Sequence, residues 1–163
     1  MVSGESSPTE YLKFGLVIVG ITATASFLSG AMGGTTLLDW MRWFMGVFFL
    51  TFAAFKFIGY QMFTMMFAGY DVIAKRFKLY AYFYPVIELF LALLYLTNTL
   101  PGTREYLTVL IMGIGTIGVW QEVHKRSGIH CACLGNIIKL PLSTVSLVED
   151  VTMGLMALVI LIW

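Results

Sequence analysis

Apolar residues fill long continuous blocks of the chain, and polar residues collect in the short connections between them. Each block approaches the roughly 20 residues that an α-helix needs to cross the hydrocarbon core of a bilayer. The five blocks cover about residues 11–28, 41–58, 79–96, 106–120 and 145–163. The pattern predicts one all-α integral membrane domain over residues 1–163, a bundle of four to five transmembrane helices. Residues 59–76 are expected to extend the second span or to form a separate interfacial helix.

The composition supports a membrane protein. Of the 163 residues, 59% are hydrophobic and 12% are charged, whereas soluble domains carry about 25% charged residues. So few charges cannot form the polar shell of a water-soluble enzyme, and the lipid bilayer is therefore the expected surrounding. The net charge of +1 indicates no surface for binding nucleic acid.

The basic residues of the connections predict the orientation, because cytoplasmic connections carry an excess of Lys and Arg. With five spans, Arg42 and Arg104 fall on one side of the membrane. The side of the N-terminus holds Lys13, Lys75, Arg76, Lys78, Lys125, Arg126 and Lys139. The distribution predicts an inner-membrane protein whose N-terminus and whose connection between spans four and five are cytoplasmic.

The two cysteines of the chain, Cys131 and Cys133, lie in this last connection, next to His130. Such a dithiol can bind a soft cation such as Cu(I) or Hg(II), or it can cycle between dithiol and disulfide by thiolate exchange. Because the cytoplasm is reducing, either role is favoured there over a structural disulfide. His130 is a candidate third metal ligand or a base that activates a thiol, and His124 is a more distant candidate.

Two further sets of residues carry possible chemistry within or near the spans. Met62, Met65 and Met66 share one helical face, which packing explains, and a relay of soft thioether ligands is the functional alternative. Lys56 and Glu88 are charges inside predicted spans, where a charge is costly and usually paired or functional. At 1.5 Å per residue both fall in the inner half of the membrane. The sequence predicts an ion pair, with Lys56 reaching the interface as the alternative.

The start of span five carries the pattern Ser146-x-x-Glu149. This pattern predicts a capping box at the helix N-terminus. Glu149 and Asp150 are then expected to cap the helix and complement its positive end, or to neutralise an entering cation.

The chain also carries a series of short motifs. They are Phe55-Lys56, Tyr70-Asp71-x-x-Ala74-Lys75, Tyr84-Pro85-x-x-Glu88-Leu89, Gly115-x-x-x-Val119, Cys131-Ala132-Cys133-Leu134-Gly135 and Leu140-Pro141 before Glu149. Together, over roughly residues 40–163, these motifs resemble the MauE/DoxX-type redox-associated membrane proteins. They are most similar to the branch in which the membrane module follows a heavy-metal-associated domain with its own Cys-x-x-Cys.

The resemblance implies two different activities. Fusion to metal-carrier domains implies handling of a soft metal, and a separate soluble metal carrier is the expected partner because residues 1–10 are too short for such a domain. MauE itself is associated with the maturation of methylamine dehydrogenase, a disulfide-rich periplasmic enzyme, which implies thiol redox with a redox protein as partner.

Three hypotheses about function follow. In the first, the protein binds and passes Cu(I) or Hg(II) through Cys131 and Cys133. In the second, it is a membrane thiol–disulfide oxidoreductase of MauE type, the one form in which it is an enzyme. In the third, it is a non-catalytic assembly subunit.

Overall fold

The structure is a computed structural model that describes residues 8–124 and 142–163. Within these ranges the chain is all-helical, as predicted, and contains no strand. The helices are α1 (Pro8–Ala31), α2 (Leu37–Ile58), α3 (Tyr60–Tyr70), α4 (Lys78–Leu96), α5 (Thr103–His124) and α6 (Leu142–Ile162). Each of the five predicted spans corresponds to one long helix, and the additional helix is α3.

The short helix α3 answers one question that the sequence left open. It follows α2 after a single residue, Gly59, whose backbone N–H donates to Phe55 O at 3.1 Å as the C-cap of α2. Residues 60–70 therefore form a separate helix and do not continue the second span. With 11 residues, α3 is about 16 Å long at 1.5 Å per residue, too short to cross a hydrocarbon core of about 30 Å.

Helix α2 begins four residues before the predicted start of the second span. The Thr36 hydroxyl accepts a hydrogen bond from the Asp39 backbone N–H at 3.1 Å, and Asp39 Oδ2 accepts from the Thr36 N–H at 3.4 Å. This reciprocal arrangement is a capping box. It lies in a polar stretch that hydrophobicity alone does not assign to the helix.

The predicted capping box at Ser146 and Glu149 is wrong. Helix α6 begins at Leu142, so Ser146 lies inside the helix and Glu149 and Asp150 lie in its middle part. A Ser-x-x-Glu pattern caps a helix only where the helix begins at the serine. Glu149 and Asp150 are instead buried, with 5% and 8% of their surface exposed.

Helix α2 is the central element of the bundle. It packs mainly against α4, and it also contacts α1, α3 and α6, while α5 packs mainly against α6. The interface contains buried aromatic rings: Phe48 and Phe52 stack with ring centres 4.2 Å apart, and Phe49 lies 6.0 Å from Tyr95 of α4. The core between α2 and α4 therefore holds these helices in the register that decides which polar side chains meet.

The end of α4 is held by arginines. Arg42 of α2 donates to Tyr95 O at 2.9 Å, and Arg104 of α5 donates to Leu94 O at 3.2 Å and to Asn98 Oδ1 at 2.9 Å. Cationic groups at a helix C-terminus satisfy its last carbonyls and complement its dipole. These two arginines therefore have a structural role in addition to the topological one that the sequence assigns them.

The surface of the bundle is apolar. Large hydrophobic side chains are exposed on the long helices, among them Leu16 and Phe27 on α1, Phe90 on α4 and Leu155 on α6. Exposed apolar area on this scale is typical of contact with lipid. Of the described helices, α2, α4 and the Tyr11–Ala31 part of α1 are long and apolar enough to cross a membrane. The predicted fourth and fifth spans are not among these three, so the full span number stays a prediction.

Candidate functional site

Lys56 and Glu88 meet in the interface between α2 and α4. Lys56 lies in the last turn of α2, and Glu88 lies within α4. Lys56 Nζ donates a hydrogen bond to Glu88 Oε1, and the two side chains are 2% and 0% exposed. Because a single charge inside a membrane is costly, each group supplies the counter-charge that the other needs.

Aromatic rings from α3 and α4 surround the ammonium group. Lys56 Nζ lies 5.5 Å from the centre of the Phe63 ring and 5.0 Å from that of Tyr84, within the range of a cation–π interaction. Phe67 packs against both rings, with centres 5.0 Å from Phe63 and 4.4 Å from Tyr84. Helix α3 therefore closes one side of the ion pair with its buried aromatic face.

Helix α6 brings two more carboxyl groups toward the ion pair. A Cβ atom at Gly115 of α5 would lie only 2.8 Å from Asp150 Oδ2, so the Asp150 carboxyl group packs directly against the α5 backbone. The charges of Lys56 and Glu88 act on Asp150, and the charge of Glu149 acts on Tyr84. Gly115 is therefore the position on α5 that leaves room for a buried carboxyl group.

Asp71 lies in the segment between α3 and α4 and faces the same region. Its Oδ1 atom accepts hydrogen bonds from the backbone N–H groups of Ile73 at 2.9 Å and Ala74 at 2.8 Å, which shapes the turn into α4. Its Oδ2 atom is buried and has no hydrogen-bond partner in the part of the chain that the structure describes. Burial raises the pKa of the Asp71 carboxyl above its ordinary value of 3.8, and the two backbone hydrogen bonds oppose this shift.

These five residues, which we call the charged centre, are Lys56, Asp71, Glu88, Glu149 and Asp150. One ammonium group and four carboxyl groups from α2, α4, α6 and the α3–α4 segment are buried there. Such a centre can hold an ion pair and bind protons. In residues 8–124 and 142–163, no three His, Cys, Asp or Glu side chains are placed to hold a metal ion.

The predicted dithiol site consists of Cys131 and Cys133, with His130 next to them in the sequence. Cys131, Cys133 and His130 lie outside the described residues. His124, the last residue of α5, is exposed. The prediction that these residues act together therefore stays a prediction.

The predicted methionine face lies on α3. Met62 and Met65 are 40% and 69% exposed, whereas Met66 is half-buried against the hydrophobic core. Packing against the core, the first of the two interpretations, therefore applies to Met66. Met62 and Met65 line a shallow open groove at the junction of α2 and α3.

The sequence pattern did not indicate that Asp71 and Asp150 belong to the charged centre, or that Gly115 leaves room for the Asp150 carboxyl group. A signal existed for Asp150, because it is a carboxyl group within a predicted apolar span, but the sequence indicated a helix cap, with neutralisation of an entering cation as the alternative. Gly115 and Asp71 lie in motifs that carry the family resemblance. Their role depends on contacts between helices that are distant in sequence.

The fold and this centre define an all-helical membrane protein with a buried ion pair inside its bundle. The family model described as methylamine utilisation protein MauE matches residues 34–163, and the chain therefore belongs to the MauE family. Neither a curated protein nor a solved structure matches the chain. The matched range contains the whole charged centre together with Cys131 and Cys133.

Proposed function

We propose that this protein is a membrane thiol–disulfide redox protein, in which Cys131 and Cys133 exchange a disulfide with a partner protein. Membership of the MauE family carries the proposal, because the matched range contains both cysteines of the sequence. The resemblance links this family to a disulfide-rich periplasmic enzyme. The helical bundle and its apolar surface support the location of this chemistry at a membrane.

The exchange needs no further oxidant or reductant. A thiolate of the reduced pair attacks one sulfur of a partner disulfide, which forms a mixed disulfide and releases one partner thiolate. The second cysteine attacks the mixed disulfide, forms the Cys131–Cys133 disulfide and releases the second partner thiolate. The partner gains two electrons and, on protonation, two protons, and the pair loses the same number. The reverse sequence introduces a disulfide into a reduced partner.

Trapping of the mixed disulfide tests the proposal. Cys131→Ser and Cys133→Ser are expressed separately, and membranes are analysed on non-reducing gels. We expect the variant that lacks the resolving cysteine to accumulate a mixed disulfide that dithiothreitol reduces. The other variant should accumulate none. The double variant contains no cysteine and is the matched control.

Two results together would contradict the redox function. Neither single variant would form a mixed disulfide, and Cys131 and Cys133 of the wild type would stay reduced in the presence of a disulfide substrate. The soft-metal hypothesis predicts a different result. Stoichiometric Cu(I) or Hg(II) binding to the wild type would then be lost in both single variants, because the two thiolates hold one ion together.

The side of the membrane decides the direction of exchange. The Lys and Arg distribution predicts a cytoplasmic dithiol, where thiols are kept reduced. A membrane-impermeant thiol reagent should then label Cys131 and Cys133 in inverted vesicles only. Labelling in intact spheroplasts would reverse the topology and favour oxidation of periplasmic partners.

A further inference from the structure

The buried charges of the described residues do not balance. Two buried cations are present, Lys56 and Arg104, and Arg104 pairs with Glu105 at the opposite end of α4. Lys56 is therefore the buried cation that remains for the charged centre. The exposed Lys75 acts on Asp71 from outside.

Glu88 on α4 and Asp150 on α6 are two of the four buried carboxyl groups of this centre. Glu88 is 0% exposed and Asp150 is 8% exposed, and the charge of Glu88 acts unfavourably on the Asp150 carboxyl. Lys56 can neutralise one of the two groups. An additional carboxylate without its own cation is strongly disfavoured in an apolar interior, and the usual remedy is protonation.

The hydrogen bonds of the Glu88 carboxyl group are also incomplete within the described residues, a feature that it shares with Asp71. One carboxyl oxygen, Oε1, accepts the hydrogen bond from Lys56. The other, Oε2, is buried and has no hydrogen-bond partner among residues 8–124 and 142–163. A buried carboxylate oxygen without a donor is unfavourable, and protonation of the carboxyl group removes the negative charge that this oxygen shares.

We propose that Glu88 and Asp150 form a proton-binding site inside the membrane bundle. The two carboxyl groups together hold one proton at neutral pH, and Lys56 neutralises the carboxylate that remains. The site does not depend on the dithiol and goes beyond the proposed redox function. Helix α5 contributes its backbone at Gly115 to this site. The other titratable neighbours of the site come from α2, α4, α6 and the α3–α4 segment, and they are Lys56, Tyr80, Tyr84, Glu149 and Asp71.

Infrared spectroscopy of the purified protein in liposomes tests this inference, because a protonated carboxyl group has a C=O stretching band that a carboxylate lacks. At neutral pH we expect a band that corresponds to one protonated group, shifts in D₂O and disappears at high pH. Glu88→Gln and Asp150→Asn should each remove it, since Lys56 then pairs with the carboxylate that is left. Lys56→Met should double it, and Asp39→Asn, at the exposed start of α2, should leave it unchanged.

Isotope labelling keeps the test valid if a variant does not fold. In the wild-type protein, ¹³C-labelled aspartate or ¹³C-labelled glutamate shifts the band according to which carboxyl group carries the proton. Absence of the band in the wild type at neutral pH would overturn the proposal. A band that survives in both Glu88→Gln and Asp150→Asn would overturn it as well, because the proton would then be on Asp71 or Glu149.

Discussion

Replacement of Lys56 by Met is the most direct perturbation of the charged centre. Methionine keeps an unbranched apolar chain against the rings of Phe63 and Tyr84 but removes the ammonium group that donates to Glu88. Loss of one partner of a buried ion pair typically costs about 3–5 kcal/mol. Loss of the cation–π contacts contributes about 0.5–2 kcal/mol, and sulfur–aromatic contacts of the new side chain offset part of it.

Because protonation of the carboxyl groups limits this cost, the expected loss depends on pH. We expect Lys56→Met to lower the free energy of unfolding by about 3–5 kcal/mol above neutral pH. The loss should shrink as the pH falls, since a protonated carboxyl group has no charge to bury. Addition of Glu88→Gln should recover part of the loss, because the double variant buries one carboxyl group fewer.

Reversible unfolding in mixed detergent micelles at several pH values measures these quantities. The wild type, Lys56→Met, Glu88→Gln and the double variant together form a double-mutant cycle. Additivity within about 0.3–0.5 kcal/mol would mean that the two charges are independent, and this result would refute the reasoning. A loss in Lys56→Met that is the same at every pH would refute the argument from carboxyl protonation.

Two further predictions concern Gly115 and Asp71. Gly113→Ala should stabilise α5 by up to about 1 kcal/mol through helix propensity, because a Cβ atom at this position meets nothing within 4 Å. Gly115→Ala should lose this gain, because its Cβ atom would lie 2.8 Å from Asp150 Oδ2. Equal melting temperatures for the two variants would contradict the close packing of Asp150. Asp71→Ala should cost about 0.5–2 kcal/mol through loss of a side-chain cap, and Asp71→Asn should cost less because the amide oxygen can still accept from two backbone N–H groups. Burial raises the pKa of Asp71 in the folded protein above 3.8. The wild type should therefore gain stability relative to Asp71→Asn as the pH falls through the raised pKa toward 3.8. A stability difference between the two proteins that does not change with pH would contradict this.

The positions of the long helices could be predicted because each contains an apolar block of nearly the length that crosses a bilayer. The ends of the helices were less predictable. Helix α2 begins at Leu37 because Thr36 and Asp39 form a capping box, which lies outside the apolar block. Helix α6 begins at Leu142, although the similar pattern at Ser146 indicated a later start. Local patterns of this kind occur both at helix ends and within helices.

The partners of the buried charges were only partly predictable. Lys56 and Glu88 were paired from their depth along two adjacent spans, a one-dimensional argument that holds for straight helices. The approach of Asp150 to this pair could not be derived in this way. It depends on the packing of α6 against α5 at Gly115 and on the contact between α6 and α2.

The sequence by itself determined that this protein is an all-helical membrane protein, because the number and length of apolar blocks depend only on residue order. It also indicated that two charges, Lys56 and Glu88, lie within predicted spans, where they could pair or where Lys56 could reach the interface. The tertiary structure alone decided that α3 closes the ion pair with aromatic rings and that Asp71, Glu149 and Asp150 are buried in the same region. The physical reason is that burial and electrostatic contact between helices depend on how the helices rotate and pack, which the periodicity of a single helix does not specify.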